Sequence, residues 1–287
     1  MDFMGKNSAE IYAKNGTKYP PHFAKGVIKK LEELNPEMEE NGKFELFVDA
    51  GCGAGSAATH FLPYFKAMIG FDISEEQIKM AQSARPPDMK ETMSYYVATE
   101  SEMPAKDNSV DLIICKSAIH YMNVDKFVRE CKRVLKNHGL AALFAAYYSE
   151  MVIEQVVDNK IVSSTSGFPL LKEIILNPLV NHLKNTGHPS YEAWDLRYER
   201  ICQKITGINK EKPQDVFFDV YFNFDDFEEY MNRTPIFRQH FSNYESHEQP
   251  FVRLKKEFKA LIGAPNAEDK SLSLKLTVSV FTIYLTK

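Results

Sequence analysis

The sequence predicts an α/β fold built on a doubly wound, mostly parallel sheet, and three observations predict it. Apolar runs of strand length without polar alternation recur between Phe44 and Tyr148. Amphipathic helical stretches separate them. A glycine-rich turn, VDAGCGAGSAA, closes the first run. Strands lacking a polar face are covered on both sides, which is the condition of a parallel sheet flanked by helices.

FELFVDA (Phe44–Ala50) is the first strand and ends in the glycine turn. SAATHFLPYF reads as a short helix with Pro63 near its end, since proline removes a donor from a helix interior. AMIGFDI is the second strand. Ser74 then opens a helix, with Ser74 and Gln77 spaced as a capping box and Ile78 and Ala81 facing inward. MSYYVATE is the third strand, and VDLIICKSAI, apolar nearly throughout, is the fourth. VDKFVRECKRVLK places Val124, Phe127, Val128, Cys131, Val134 and Leu135 on one helical face. His138-Gly139 is the expected stop, and LAALFAAYY is the fifth strand. In front of the core, PPHFAKGVIKKLEELN is an amphipathic helix opened by two prolines.

From Ser149 to about Lys212 the period is helical but broken at Gly-Phe-Pro and Gly-His-Pro. DVFFDVYFNF and SLSLKLTVSVFTIYLTK read as two more strands, the last entered through a bend, which makes a seven-stranded sheet. DDFEEYMNRT and FVRLKKEFKALIG read as helices between them. The expected organisation is an N-terminal cap helix in 1–43, an α/β ligand-binding core in 44–148, a helical substrate-cap insertion in 149–214 and the last part of the core in 215–287.

A net charge of −4 from 35 basic and 39 acidic residues argues against nucleic-acid binding that rests on phosphate contacts. Cys52, Cys115, Cys131 and Cys202 form no Cys-x-x-Cys pair, so no metal or redox motif is expected. No apolar stretch approaches the roughly 20 residues of a spanning helix, so no membrane partner is expected. The opening residues MDFMGKNSAE lack an apolar signal region, so a reducing, cytoplasmic setting is expected. The chain is expected as a monomer or homodimer.

Gly51, Gly53 and Gly55 stand at the carboxyl end of the first strand, the edge where open α/β sheets bind ligands. Asp72 ends the next strand, where a carboxylate can accept from both hydroxyls of a ribose. A pyrophosphate-binding loop would carry its third glycine where Ser56 stands. Here that glycine comes one residue earlier, and Asp49 precedes the turn. This pattern suits an adenosyl ligand with a zwitterionic tail, S-adenosylmethionine. Asp49 either meets the ligand's positive charge or orients the loop.

LFVDAGCGAGSAA, IGFDISEEQIKMA and VDLIICKSAIHYMNVDKFVRECKRVLKNHG resemble, in order, the motifs of the class I S-adenosylmethionine-dependent methyltransferases. IYAKNGTKYPPHF, the His-Tyr after the fourth strand and the closing strand resemble the trans-aconitate methyltransferase group more narrowly. That group's arginine-proline is replaced here by Thr17-Lys18. The resemblance implies a Rossmann-like methyltransferase core and transfer of a methyl group to a small molecule. A carboxylate oxygen is slightly favoured as acceptor, with N- or C-methylation, or an RNA or protein acceptor, as alternatives.

The expected cofactor contacts are Tyr12, Asp49, Gly51, Gly53, Gly55, Asp72, Ile73, Lys116 and Ser117, with the adenine met by Thr99 or Glu100. His120 and Tyr121 are the catalytic candidates, as a base with a near-neutral pKa or as pocket shape. Tyr19, His120, Tyr121, Trp194 and Arg197 are the substrate candidates. Trp194, Arg197, Tyr198 and Arg200 are expected on one helix of the insertion, either as a solvated face with one packed tryptophan or as a lid on which Arg197 or Arg200 would orient an acidic substrate.

Overall fold

The computed structural model describes residues 19–37, 42–158, 160–233, 235–241 and 249–287. They divide into two units. Of the described residues, the first draws on those up to Ala145 with Leu196–Asp215 and Phe281–Lys287, and the second on those within Ala146–Asp195 and Val216–Val280.

In the first unit, helix α1 (Pro21–Leu34) begins at prolines whose fixed φ suits a helix start. It buries Phe23, Ala24, Val27, Ile28 and Leu31 along one stripe. Strand β1 (Phe44–Ala50) follows and pairs in parallel with β2 (Phe65–Asp72) on one side and β4 (Val110–Lys116) on the other. Strand β3 (Met93–Val97) extends the sheet beyond β2, and β5 (Leu135–Val157) beyond β4, both in parallel. The order is therefore β3-β2-β1-β4-β5, continued by Leu272–Thr286 and the short Asn209–Lys210. The chain moves one way from β1 through β2 to β3 and the other way from β4 to β5. That reversal leaves a crevice beyond the carboxyl ends of β1 and β4.

The helices form where sequence expects them. Helix α2 (Ala58–Phe61) is a single turn. Helix α3 (Glu75–Ala84) is capped as predicted, the Gln77 N–H donating to Ser74 Oγ at 3.3 Å. Helix α4 (Val124–Val134) is capped by Asn123, which accepts from the Lys126 N–H at 3.0 Å, and it carries Lys132 and Arg133 at its carboxyl end. It stops at Val134, earlier than His138-Gly139 suggests. The residues between Leu135 and Leu140 form a bulge opposite Val110 and Leu112, and Gly139 fits there because a Cβ would lie 2.9 Å from the Val110 carbonyl oxygen. At the opposite edge, Asp111 accepts from the N–H groups of Glu45 and Leu46 and from Lys136 Nζ, tying the starts of β1, β4 and β5.

The second unit departs from the sequence expectation. Its opening is a β-hairpin in place of a helix: Val152–Val157 of β5 pairs antiparallel with Lys160–Ser166. Phe168–Leu171, the π-wound Lys172–Leu176 and Asn177–Thr186 then follow as successive helical segments, ended by Gly187 at φ +62°. The strand Gln214–Phe222, counted from sequence among the seven core strands, lies off the main sheet path and pairs with Leu272–Thr286. The helices Phe224–Arg233 and Pro250–Leu261 were grouped from sequence with the core. Here Phe224, Phe227, Phe251 and Phe258 bury in one cluster with Leu171, Ile175 and Leu179. Local periodicity reports that a helix has an apolar face, and the fold decides what that face meets. Among the described residues no helix is long and apolar enough to cross a membrane.

Candidate functional site

The glycine turn runs through left-handed backbone, with φ of +68° at Gly51, +52° at Gly53 and +83° at Gly55. A Cβ at Gly51 would stand 2.5 Å from Ala118 Cβ, and one at Gly55 would stand 2.6 Å from Tyr95 Oη. Side chains are thus excluded twice, by conformation and by space. The N–H groups of Gly51 and Cys52 both donate to the Phe71 carbonyl, at 2.9 and 3.0 Å, anchoring the turn to β2.

Asp72 closes β2 beside this turn. Gly53 N–H donates to its Oδ2 at 2.9 Å and Ser74 N–H donates to its Oδ1 at 3.0 Å. It therefore does structural work as well, tying the turn to the entry of α3. A carboxylate oxygen can accept more than one hydrogen bond, so capacity for ribose hydroxyls remains. Ile73 beside it is 62% exposed, an apolar surface suited to a flat ring.

Asp49 is 1% exposed, and neither carboxylate oxygen has a hydrogen-bond partner. Burial pushes its acid up to about 7, while the Lys116 charge opposes the rise and the Asp72 charge adds to it. Lys116 ends β4 and is itself buried. Its Nζ lies 3.4 Å from Ser56 Oγ and 5.0 Å from the centroid of the Tyr19 ring. Burial lowers its pKa to about 8, against the pull of Asp49.

The Asp49 acid sits higher in the folded chain than its ordinary value of 3.8. Its contribution to stability is thus fully present below about pH 4 and is lost as pH rises through about 7. Asparagine imitates the protonated acid at every pH. The expected result is that Asp49→Asn gains on wild type in urea denaturation as pH rises from about 5 to about 8. A gap that does not change with pH would contradict this.

Tyr19, Phe23, Ser56, His60, Phe61, Lys116 and Phe144 line a cavity next to the turn. Tyr19 and Phe23 meet Phe144 edge-on, at 5.3 and 4.8 Å between centroids. Ser117 follows Lys116 in left-handed backbone, φ +50°, and its N–H donates to the Phe144 carbonyl at 2.8 Å. Thr99 Oγ1 contacts Ser101 Oγ at 2.7 Å, and Glu100 Oε1 accepts from the Asn123 N–H at 3.1 Å, which holds the loop after β3 to the start of α4.

His120 and Tyr121 lie in a one-turn helix, Ile119–Tyr121, with ring centroids 4.3 Å apart. His120 Nδ1 is in hydrogen-bond contact with Tyr198 Oη at 2.9 Å. Tyr198 is fully buried and packs edge-on against Phe281 at 5.1 Å. It and Arg197 are both left-handed, φ +62° and +45°. The single helix expected to carry Trp194, Arg197, Tyr198 and Arg200 is thus two short helices, Tyr191–Trp194 and Glu199–Lys204, separated by this pair. Arg197 is ion-paired with Asp215 and lies 5.5 Å over the Phe281 ring. Trp194 belongs to the second unit, where it packs edge-on against Phe237 at 5.1 Å and Tyr148 at 5.4 Å.

The first unit thus brings together the glycines, Asp49, Asp72, Tyr19, Lys116 and Ser117, with His120 set by Tyr198. Tyr12, Thr17 and Lys18 lie outside the described residues. Sequence reasoning did not single out Ser56, Tyr95 or Ala118 for the turn, nor Tyr198 as the partner of His120. None of these carries a motif; each matters through a contact distant in sequence. Among the described residues no group of three or more His, Cys, Asp or Glu is placed to hold a metal ion. The cradle closed to side chains, the acid at the end of β2 and the buried carboxylate awaiting donors fit an adenosyl cofactor with an amino-acid tail.

Comparison with known proteins agrees. Residues 48–143 match the family model described as a methyltransferase domain. The chain is 31% identical over 145 residues to the uncharacterized methyltransferase YcgJ of Bacillus subtilis, covering 50% of this chain and 49% of that protein. It is 27% identical over 152 residues to a Saccharomyces cerevisiae protein assigned as an S-adenosylmethionine-dependent methyltransferase, covering 52% and 50%. The alignments thus span about half the length of these curated relatives. A solved structure from Anaeromyxobacter dehalogenans, assigned as a type II methyltransferase, superposes with a TM-score of 0.60 at 17% identity over 92% of this chain and 96% of that one, which shows the shared fold. Residues 48–143 thus form a methyltransferase domain similar to those of S-adenosylmethionine-dependent enzymes.

Proposed function

We propose that the protein transfers the methyl group of S-adenosylmethionine to a small molecule. The observation that supports this reading is the glycine turn closed to side chains, with the Asp72 carboxylate at the end of the neighbouring strand and the aromatic rings of Tyr19, Phe23 and Phe144 in the same unit. Bound there, the cofactor supplies a methyl group activated by a neighbouring positive sulfur. The chain's residues then have to align the acceptor, exclude water and handle any proton.

A carboxylate oxygen as acceptor needs no base and instead wants a cation to orient it. Arg197, one of the two arginines expected in that role, is engaged by Asp215 and Phe281. The contact between His120 and Tyr198 supports the other reading, an acceptor that must lose a proton, such as an amine or a phenol. In this reading His120 takes the proton, and Tyr198 is the positioning residue that fixes the imidazole plane.

Calorimetry with S-adenosylhomocysteine tests the cofactor: wild type binds, and Asp72→Ala binds about 100-fold more weakly, because it loses contacts to ribose and the tie to Gly53 together. No heat with wild type would end the cofactor reading. Small acids, amines and phenols are then screened with labelled S-adenosylmethionine. If only acids gain mass and His120→Ala keeps full rate, the proton-accepting role of His120 is wrong and the carboxylate reading stands.

A further inference from the structure

We infer that Arg197 and Asp215 clamp Tyr198 in left-handed backbone and so keep a proton on His120 Nδ1, which makes Nε2 the basic nitrogen of the ring. This rests on the proposed proton-accepting role of His120 and adds to it the residues that set the ring. All four belong to the first unit.

The backbone carries the first part of the argument. The described residues other than glycine with positive φ are Asn108, Ser117, Asp158, Arg197 and Tyr198. Asn108 and Asp158 are of types that tolerate this region, because their short polar side chains bond locally. Arg197 and Tyr198 have no such ease, and they stand side by side at φ +45° and +62°. Strained residues persist only where the surroundings hold them, and they gather at working sites. Arg197 carries the holding contacts. Its guanidinium pairs with Asp215 and lies 5.5 Å over the Phe281 ring.

Tyr198 receives the result. It is fully buried and meets the same Phe281 ring edge-on at 5.1 Å. Its carbonyl accepts from the Cys202 N–H at 2.7 Å, where the helix Glu199–Lys204 opens. Ring and main chain are thus both fixed, and Oη is brought 2.9 Å from Nδ1 of His120, 78 residues away in sequence. Right-handed backbone at 198 would send the side chain in a different direction.

Proton accounting supplies the second part. A neutral imidazole that takes a proton at one nitrogen must already carry hydrogen on the other. With Nδ1–H donating to Tyr198 Oη, the lone pair is on Nε2. The proton of the methyl acceptor passes to Nε2, and the Nδ1–H bond stays intact throughout. Arg197 therefore does not touch the substrate; it is a positioning residue that acts through Tyr198.

The test reads the ring directly and needs no methyl acceptor. Two-bond hydrogen–nitrogen correlation spectra of the full chain distinguish the two neutral tautomers, at about pH 8, above the ordinary histidine pKa of about 6.5. His120→Gln identifies the His120 signals by their loss. In wild type the Nδ1–H tautomer is expected to exceed the other by about tenfold, the scale of one ordinary hydrogen bond. Tyr198→Phe should abolish that excess. Arg197→Gly removes the clamp and also relieves the strain, since glycine adopts left-handed backbone freely. The expected result is melting close to wild type with the two tautomers within about threefold of one another. If that variant does not fold, Asp215→Asn serves the same comparison. Lys at 197 keeps the ion pair, so Arg197→Lys should keep most of the excess. A wild type without excess of the Nδ1–H form would overturn the assignment. Arg197→Gly that melts lower yet keeps the wild-type ratio would overturn the clamp in favour of a purely structural role. Spectra as expected, with His120→Ala fully active in the acceptor screen, would overturn the proton-accepting reading alone and uphold the clamp.

Discussion

Replacing Gly51 with valine is expected to abolish measurable binding of S-adenosylhomocysteine while the rest of the sheet still forms. At φ +68° a β-branched residue meets its own backbone, at a cost on the order of 1–3 kcal/mol. Its Cβ would also fall 2.5 Å from Ala118 Cβ and 3.0 Å from Met122 Cε. Ala118 Cβ is bonded directly to the main chain just after β4, so it cannot turn aside as a long side chain would. The turn must shift or the loop after β4 must, and both border the proposed cofactor site. Calorimetry should show affinity falling more than about 100-fold, with circular dichroism close to wild type. Affinity within about threefold of wild type would mean that the turn does not hold the ligand.

Phe127→Ala should produce the largest loss of stability, about 3–5 kcal/mol. Phe127 is fully buried on α4, in line with Cys131 and Val134 on the same face. Truncation removes a ring from a packed interior and leaves a cavity that the neighbours cannot refill. Its caps stay in place: Asn123 still accepts from Lys126, and Arg133 still bonds Glu130. Urea denaturation followed by circular dichroism measures the change. A loss below about 1 kcal/mol would show that α4 is held mainly by its polar network, in which Glu130 accepts from Met103 N–H and Arg133 donates to the carbonyls of Met103 and Ala105.

The parts of this protein that could be read in advance are those whose physics is local. Strand β4 is buried at all seven positions, and its sequence, VDLIICK, says so directly. Ser74 accepts from the Gln77 N–H because a serine before a helix has few better uses for its hydroxyl. The turn was legible because left-handed backbone and a closed cradle demand glycine at fixed spacing. Asp72 was legible by its place at the end of the neighbouring strand, although its bonds to Gly53 and Ser74 were not.

Other features depend on contacts that no local pattern encodes. The hairpin between Val152–Val157 and Lys160–Ser166 was hidden because β5 continues past the point where its apolar run ends. Arg197 and Tyr198 adopt φ values that their residue types rarely take, so a helix was the natural expectation there. The strain is held by the burial of Tyr198, its contact with His120 and its packing on Phe281. Arg197, a substrate candidate by charge, is engaged by Asp215 and Phe281.

Periodicity, capping and glycine spacing were enough to establish a parallel sheet, a strand-end ligand turn and an adenosyl cofactor, because each follows from forces acting within a few residues. Which charges stand opposite one another did not follow from them. Asp49 and Lys116 are far apart in the chain and become neighbours only because β4 pairs with β1, which buries both beside the same turn. The electrostatics of the turn are a property of that pairing.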